Sequence, residues 1–378
     1  MPFNFSGLNF FGDVSAFAVP PPPPPSTYLW TWGRNDSGQL GLGNTTNFSS
    51  PKQVGSLNDW LEVSATYGSV VAIKKDNTIW TWGAGSHGRL GLGNTTDVSS
   101  PTQVGSLTNW ADVSAGQQFT IGRKTDGTIW TWGRNYRYSL GLGDTNSRSS
   151  PVQVGSSTNW LKVAAGSYHC FAINSSGQLY AWGSNQFGQI GNDSSTPFAN
   201  GGVTTPTQIS GTWSEVSAST TRHSLGIKSN GTLWAWGGGY SQALGFNNDT
   251  NYSSPKQIGA LTTWISIAAG QYNNLAVKTD GTLWSWGYNA YGQLGIGNIS
   301  TVGSPVQVGA LTNWSTSMSI NRHASAIKTN GTLWAWGYNY YGQLGLGDTN
   351  NRNSPVQIGT RTNWANISVK GYSSVAIG

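Results

Sequence analysis

A tetrapeptide written seven times constrains this chain more than any other feature. Trp30-Thr31-Trp32-Gly33 recurs as Trp80–Gly83, Trp130–Gly133, Tyr180–Gly183, Trp234–Gly237, Trp284–Gly287 and Trp334–Gly337, with starts 50, 50, 50, 54, 50 and 50 residues apart. A fixed period of this size marks a solenoid, a propeller or another repeat array. A lone tryptophan follows each copy, at Trp60, Trp110, Trp160, Trp213, Trp264, Trp314 and Trp364, and the two sets account for all 20 in the chain. Tryptophan is therefore scaffold before it is anything else.

Each repeat reads as four short strands. In one unit, Trp264–Gly270 alternates as a strand, Asn274–Lys278 follows, and Asp280-Gly281 turns the chain into Leu283–Gly287. Asp-Gly between apolar runs is a strong hairpin signal. After a loop rich in Gly, Asn and Tyr, Ser304–Val308 reads as an outer strand, since its proline cannot donate to a ladder. Four strands repeated radially make a propeller blade. Ala72, Gly122, Ala172, Gly226, Ala276, Ala326 and Ala376 keep one strand position small, which predicts close approach of the next sheet.

The chain ends are out of phase with the blades. The first repeated strand, 28–33, is of the third type, and the last, 375–378, is of the second type. One blade is thus split between the two ends, and a ring that joins them leaves no open edge. The expected fold class is all-β: a seven-bladed β-propeller of four-stranded antiparallel blades over 28–378, its last blade closed by strands from both termini, preceded by an N-terminal tail. That tail divides into 1–19, with Phe3, Phe5, Phe10, Phe11 and Phe17, and a polyproline linker over 20–27 holding six consecutive prolines. The expectation is an aromatic docking peptide on a polyproline II stalk, its phenylalanines anchoring the ring to a partner.

Few side chains offer chemistry. Charged residues make up 9% of the chain, the formal net charge is +6, and the lysines and arginines form no cluster, which argues against nucleic acid. Cys170 is the one cysteine and reads as a buried, inert thiol. His169, His223 and His323 share one repeat position, so they spread around a ring and do not converge on a metal. The Gly-Leu-Gly-Asn and Gly-Leu-Gly-Asp segments lack the Lys-Ser/Thr of a phosphate loop. No cofactor, no metal, no catalytic constellation and no membrane insertion are expected, and the N-terminus lacks the basic region of an ordinary signal peptide.

The (Leu/Ile)-Trp-x-Trp-Gly strand, the Asn-x-Tyr-Gly-Gln-Leu-Gly-(Leu/Ile)-Gly loops at Asn289–Gly297 and Asn339–Gly347, and Val113–Gly116 carry a resemblance. The pattern resembles the repeats of the regulator-of-chromosome-condensation family. That resemblance implies a seven-bladed propeller closed by both termini. It also implies functions as different as nucleotide exchange on a small GTPase, chromatin binding, ultraviolet-B sensing and plain protein binding through one face. The light-sensing members use Gly-Trp-Arg-His-Thr, and here no tryptophan precedes Arg222-His223 or Arg322-His323.

Strand direction sorts the loops into two faces. The loops after the first and third strands carry Arg34, Arg134, Arg137, Arg222, Arg322 and Arg352 with most tyrosines, while the hairpin turns carry Lys74, Lys75, Lys124, Lys228, Lys278 and Lys328. Tyr and Arg are enriched at recognition hot spots. The expected partner-binding residues are Arg134, Tyr136, Arg137, Tyr138, Tyr240, Tyr288, Tyr291, Tyr338, Tyr340 and Tyr341. For Tyr291 and Tyr341, which precede the Gly-Gln of the loop, internal packing and display are both open. The sum points to a non-enzymatic binding propeller displayed on a larger assembly. The first expectation is a virion-surface or extracellular protein, a bacteriophage adhesin or capsid decoration, with a protein holding the tail and a host receptor or glycan on the loop face. The alternatives are an exchange factor for a small GTPase and a bacterial cell-surface interaction protein.

Overall fold

The computed structural model describes residues 27–195 and 201–378, so the anchoring phenylalanines, the polyproline run and residues 196–200 lie outside the described residues. Seven antiparallel blades follow the repeats. Blade 1 orders Trp60–Ala65, Ser69–Lys74, Ile79–Gly83 and Val98–Gln103 from inside to outside. Blades 2, 5 and 6 repeat this order from Trp110, Trp264 and Trp314. Blades 3 and 4 are joined into one seven-stranded sheet by the 17-residue strand Gly202–Ala218. Its first half is the outer strand of blade 3 and its second half the inner strand of blade 4. The cause is local: Ile209-Ser-Gly-Thr-Trp213 replaces the longer Val-Gly-Ser-Leu-Thr-Asn-Trp link found elsewhere.

Blade 7 is the composite one. Asn366–Lys370 and Ser373–Ile377 pair with Leu29–Gly33 and Phe48–Gln53 in one sheet. The joining register runs from Leu29 opposite Ile377 to Gly33 opposite Ser373. The ring is closed by its ends, as the phase of the repeats requires.

The tryptophans of each blade, three in number except in blade 3 where Tyr180 replaces one, do separate jobs. The second Trp of each tetrapeptide is fully buried, and in every copy but Trp132 its indole N–H reaches back to the previous blade: Trp82 to the Gln39 carbonyl (2.9 Å), Trp236 to Gln189 (2.9 Å), Trp336 to Gln293 (3.0 Å) and Trp32 to Gln343 (2.8 Å) among them. The loop glycine beside each indole has no alternative. Gly295 has φ +71°, and a Cβ there would lie 2.7 Å from Trp336 Nε1. The lone Trp packs edge-on against its own blade's pair, as Trp60 does against Trp80 and Trp82. The small residue of the second strand makes room for these rings: a Cβ on Gly122 would meet Trp110 at 2.8 Å and Trp132 at 3.5 Å. So its smallness seats the tryptophans of its own blade, and it shares one core with the preceding blade, as Ala276 does with Leu225, Ile227 and Leu233.

Inner strands line a channel and are latched across the seams. Ser64, Ser114, Ser217, Ser319 and Ser368 each accept the backbone N–H of the next blade, at 2.9–3.0 Å. Ala164 and Ala268 hold the same position in blades 3 and 5 without a hydroxyl. Lys370 crosses the top of the channel, and its ammonium donates to the carbonyls of Ala115 (2.5 Å) and Ala165 (3.4 Å). Burial pushes its pKa down to about 8. Among the described residues no helix is long and apolar enough to cross a membrane.

Candidate functional site

The upper face is built from loops whose frame is buried and whose tips vary. A buried Asn opens most of the long loops. Asn339 donates through Nδ2 to the carbonyls of Asp348 and Asn350 while its Oδ1 accepts from Leu344 N–H. Gln343 Oε1 then accepts from Tyr341 N–H at 2.9 Å. These polar groups are spent on backbone that would otherwise be orphaned. The residues between them, such as Tyr340 and Tyr341, project.

On blades 5, 6 and 7 the projecting rings touch in series. Tyr288 meets Tyr291 (6.3 Å between centroids), Tyr291 meets Tyr338 (4.7 Å), and Tyr338 stacks on Tyr340 at 13°. Tyr340 meets Tyr341 (4.9 Å), and both Tyr338 and Tyr341 meet Tyr372. Arg34 lies over Tyr341 and Tyr372, and Arg322 over Tyr372. Tyr291 and Tyr341 are half-buried within this band, whereas Tyr340 is 66% exposed. Packing and display, left open by the sequence for these two, are divided between neighbours: the consensus tyrosines support and Tyr340 presents. Tyr240 sits apart on Tyr272 (4.9 Å) and is 59% exposed.

The other expected residues form a second group. Tyr136 packs on Tyr168 (4.9 Å) with Arg134 and Arg137 over its ring. Arg137 and Tyr138 adopt left-handed backbone, φ +54° and +63°, where blades 3, 5 and 6 carry Gly188, Gly292 and Gly342 at the second position. This group borders a cavity of about 520 Å³ at the upper mouth of the channel, which Arg222, Gln186, Phe187 and Gln271 also line. Phe187 was not singled out from sequence, nor was Lys370. The signal for Lys370 was available, because it stands where other repeats have Gly116, Gly166 and Gly270.

The titratable groups below this face are structural. His169, His223 and His323 open their strands just beneath the upper turns and are fully buried. Each Nε2–H donates to the next blade: to Ser224 Oγ (3.3 Å), Asn274 Oδ1 (2.8 Å) and Ser374 Oγ (2.8 Å). The tautomer follows from the partners, since Ser224 Oγ, Asn274 Nδ2 and Ser374 Oγ already donate to carbonyls. Burial lowers their pKa values to about 3, 4 and 3, with His223 and Lys370 adding to the effect on His169. Among the described residues no three His, Cys, Asp or Glu side chains gather as a metal would need. Cys170 is buried against the Ser139 carbonyl, and burial pushes its thiol pKa up.

Five of the hairpin lysines of the lower face are seated on tryptophan rings. Lys124, Lys228, Lys278 and Lys328 each lie between two tryptophans, 3.5–3.6 Å from one ring centroid and 4.9–5.3 Å from the other. Lys74 does the same with Trp60 and Trp80.

Comparison with known proteins agrees with this geometry. The regulator of chromosome condensation (RCC1) repeat matches seven times, at 28–73, 76–122, 126–173, 176–224, 230–277, 280–322 and 330–377. Among solved structures, human WBSCR16 superposes with a TM-score of 0.82 at 19% identity, covering 93% of this chain and 99% of that one. Yeast RCC1 (Prp20), solved bound to Kap60, gives 0.81 at 19% identity over 94% and 89%. Prp20p from Saccharomyces cerevisiae, reported with its binding properties to Gsp1p and histones, gives 0.81 at 20% identity over 94% and 92%. A "Protein RCC2 homolog" from Danio rerio is 40% identical over 53 residues, which span only 14% of this chain and 11% of that protein. These relatives are proteins of human, yeast and fish cells, and histones are partners found inside cells. The expectation of a virion-surface or extracellular location is overturned by them.

Proposed function

The chain belongs to the regulator of chromosome condensation (RCC1) repeat family, and from that premise we propose that it is a non-enzymatic, protein-binding propeller whose upper face is the recognition surface. One observation carries the reading: six tyrosines, Tyr288, Tyr291, Tyr338, Tyr340, Tyr341 and Tyr372, in continuous contact with Arg34 and Arg322 over them. Rigid aromatic rings with few rotatable bonds and Arg at their edge are what hot spots are made of. The ring is closed by the pairing of Leu29–Gly33 with Ser373–Ile377, and the outer tyrosines of the band lie beyond that pairing.

A second reading, guanine-nucleotide exchange on a small GTPase, is favoured by the likeness to Prp20p, reported with its binding to Gsp1p, over 94% of this chain. A single set of proteins tests both. The full chain and a Tyr240→Ala, Tyr338→Ala, Tyr340→Ala variant are compared for partner capture by quantitative mass spectrometry. Both are also assayed for release of fluorescent GDP from a panel of small GTPases. The variant should fold like the parent and lose its partner, at about 2 kcal/mol or more per hot-spot ring. Capture of the same proteins by the variant would reject the upper face as the interface. Accelerated GDP release by the parent, and not the variant, would assign exchange to it.

A further inference from the structure

The arginines of the upper face are of two kinds. At the rim, Arg34, Arg148 and Arg352 are neutralised by Asp36 (2.5 Å), Asp144 (2.7 Å) and Asp348 (2.5 Å). At the channel mouth, Arg134, Arg137 and Arg222 have no ion pair among the described residues, and the cavity wall they share contains no Asp or Glu. Neutral groups hold them. Arg134 Nη1 donates to Gln118 Oε1 (2.6 Å), and Arg137 Nη1 donates to Gln186 Oε1 (2.6 Å) and Ser184 Oγ (3.3 Å). Arg222 lies over the Phe187 ring at 4.2 Å. Glutamine oxygens orient a guanidinium without cancelling its charge. Arg137 Nε is shut off from solvent and has no acceptor among the described residues. Arg137 and Tyr138 hold left-handed backbone, as Ser241 and Gln242 do in the corresponding loop of blade 4, whereas the remaining loops place glycine at the second position.

We propose that this cavity receives carboxylate side chains from an acidic segment of the protein partner, an inference that rests on the protein-binding reading of the upper face. The guanidinium fork matches a carboxylate with two parallel N–H···O bonds. The three forks stand on two loops: Arg134 and Arg137 on the long loop of blade 2, Arg222 on the turn of blade 4. Forks spaced in this way address carboxylates spaced along a peptide more readily than one compact anion. The cavity of about 520 Å³ has room for side chains with their water. Phe187 and Tyr136 supply apolar walls, which strengthen charge pairing by displacing solvent.

The test uses the intact protein and three probes: hexaglutamate, hexaglutamine and sodium phosphate, titrated calorimetrically at low and physiological salt. Hexaglutamate should bind saturably and weaken as salt rises, and hexaglutamine should not bind. Arg137→Gln with Arg222→Gln should weaken hexaglutamate about tenfold or more, whereas Arg148→Gln with Arg352→Gln at the rim should stay within about twofold. Melting curves of both double variants establish that the ring is intact. Absence of hexaglutamate binding, or an equal loss from the rim pair, overturns the proposal. So does phosphate binding as tightly as hexaglutamate and dependent on the same arginines, which would make the cavity a free-anion site. If hexaglutamate fails while the tyrosine variant still loses its partner, only the cavity assignment falls and the protein-binding face stands.

Discussion

The two faces of the ring use the same ingredients, aromatic rings and cations, to opposite ends. On the lower face Lys278 is held 3.5 Å from the Trp284 ring and 4.9 Å from Trp264, and is 7% exposed. On the upper face Arg322 lies over the half-buried Tyr372, and neither it nor the channel-mouth arginines has an ion pair among the described residues. The lesson is that an aromatic–cation count does not identify a binding surface. What matters is whether the pair is already closed by a third group. The lower face is closed by its own tryptophans, and the upper face is the one left for a partner to complete.

The sharpest way to separate the faces is acid, because the histidines lie directly beneath the upper turns. Their folded pKa values of about 3 to 4 are below the unfolded value of 6.5. The unfolded chain therefore binds protons first, and stability falls as pH drops from about 6.5 toward those values. Between pH 7 and pH 5 each histidine should remove about 2 kcal/mol. Urea melts at the two pH values measure this, and His323→Asn, which copies Asn273 of blade 5, should remove one share. A melt independent of pH would mean that the three rings are not buried neutral.

Next in size is the lower face itself. Trp284→Ala should cost about 3–5 kcal/mol of stability and leave hexaglutamate binding unchanged at temperatures where the variant is folded. Loss of binding without loss of stability would show that the two faces are not separable. Smallest is Lys278→Met, which keeps the apolar stem and removes the ammonium from between two indoles. A loss of about 0.5–2 kcal/mol is expected from the cation–π contact, read as a shift of the urea midpoint. A variant as stable as the parent would make these lysines solubilising groups only.

Much of the fold was legible because repetition multiplies a weak signal. One Trp-x-Trp-Gly strand says little, but seven at a constant spacing specify a ring, and the phase of the first and last strands specifies its seam. The long strand Gly202–Ala218 was not legible as a continuous element, since a two-residue shortening of a link gives no propensity change. The seat of each lysine between two indoles, Trp264 and Trp284 for Lys278, was not legible, because strand patterning does not encode where a long side chain lies across the strands. The tyrosine band was half-legible: the face of each residue follows from strand direction, but contact between Tyr291 and Tyr338 depends on the angle between neighbouring blades. The lack of ion pairs at the channel-mouth arginines was invisible, because it depends on which acids fail to reach them.

The seam described earlier also sets how the ring would respond to force. Tyr28 and Gly378 exchange two backbone bonds of 3.0 Å at the lower edge, and the pairing climbs from there to Gly33 and Ser373. The N-terminal end of one strand and the C-terminal end of the other lie at the same edge. Tension between Thr27 and Gly378 therefore peels the two strands apart one rung at a time, instead of shearing all rungs together. Under load the ring would open at this zipper, at low force, with its other blades still folded and joined by continuous chain.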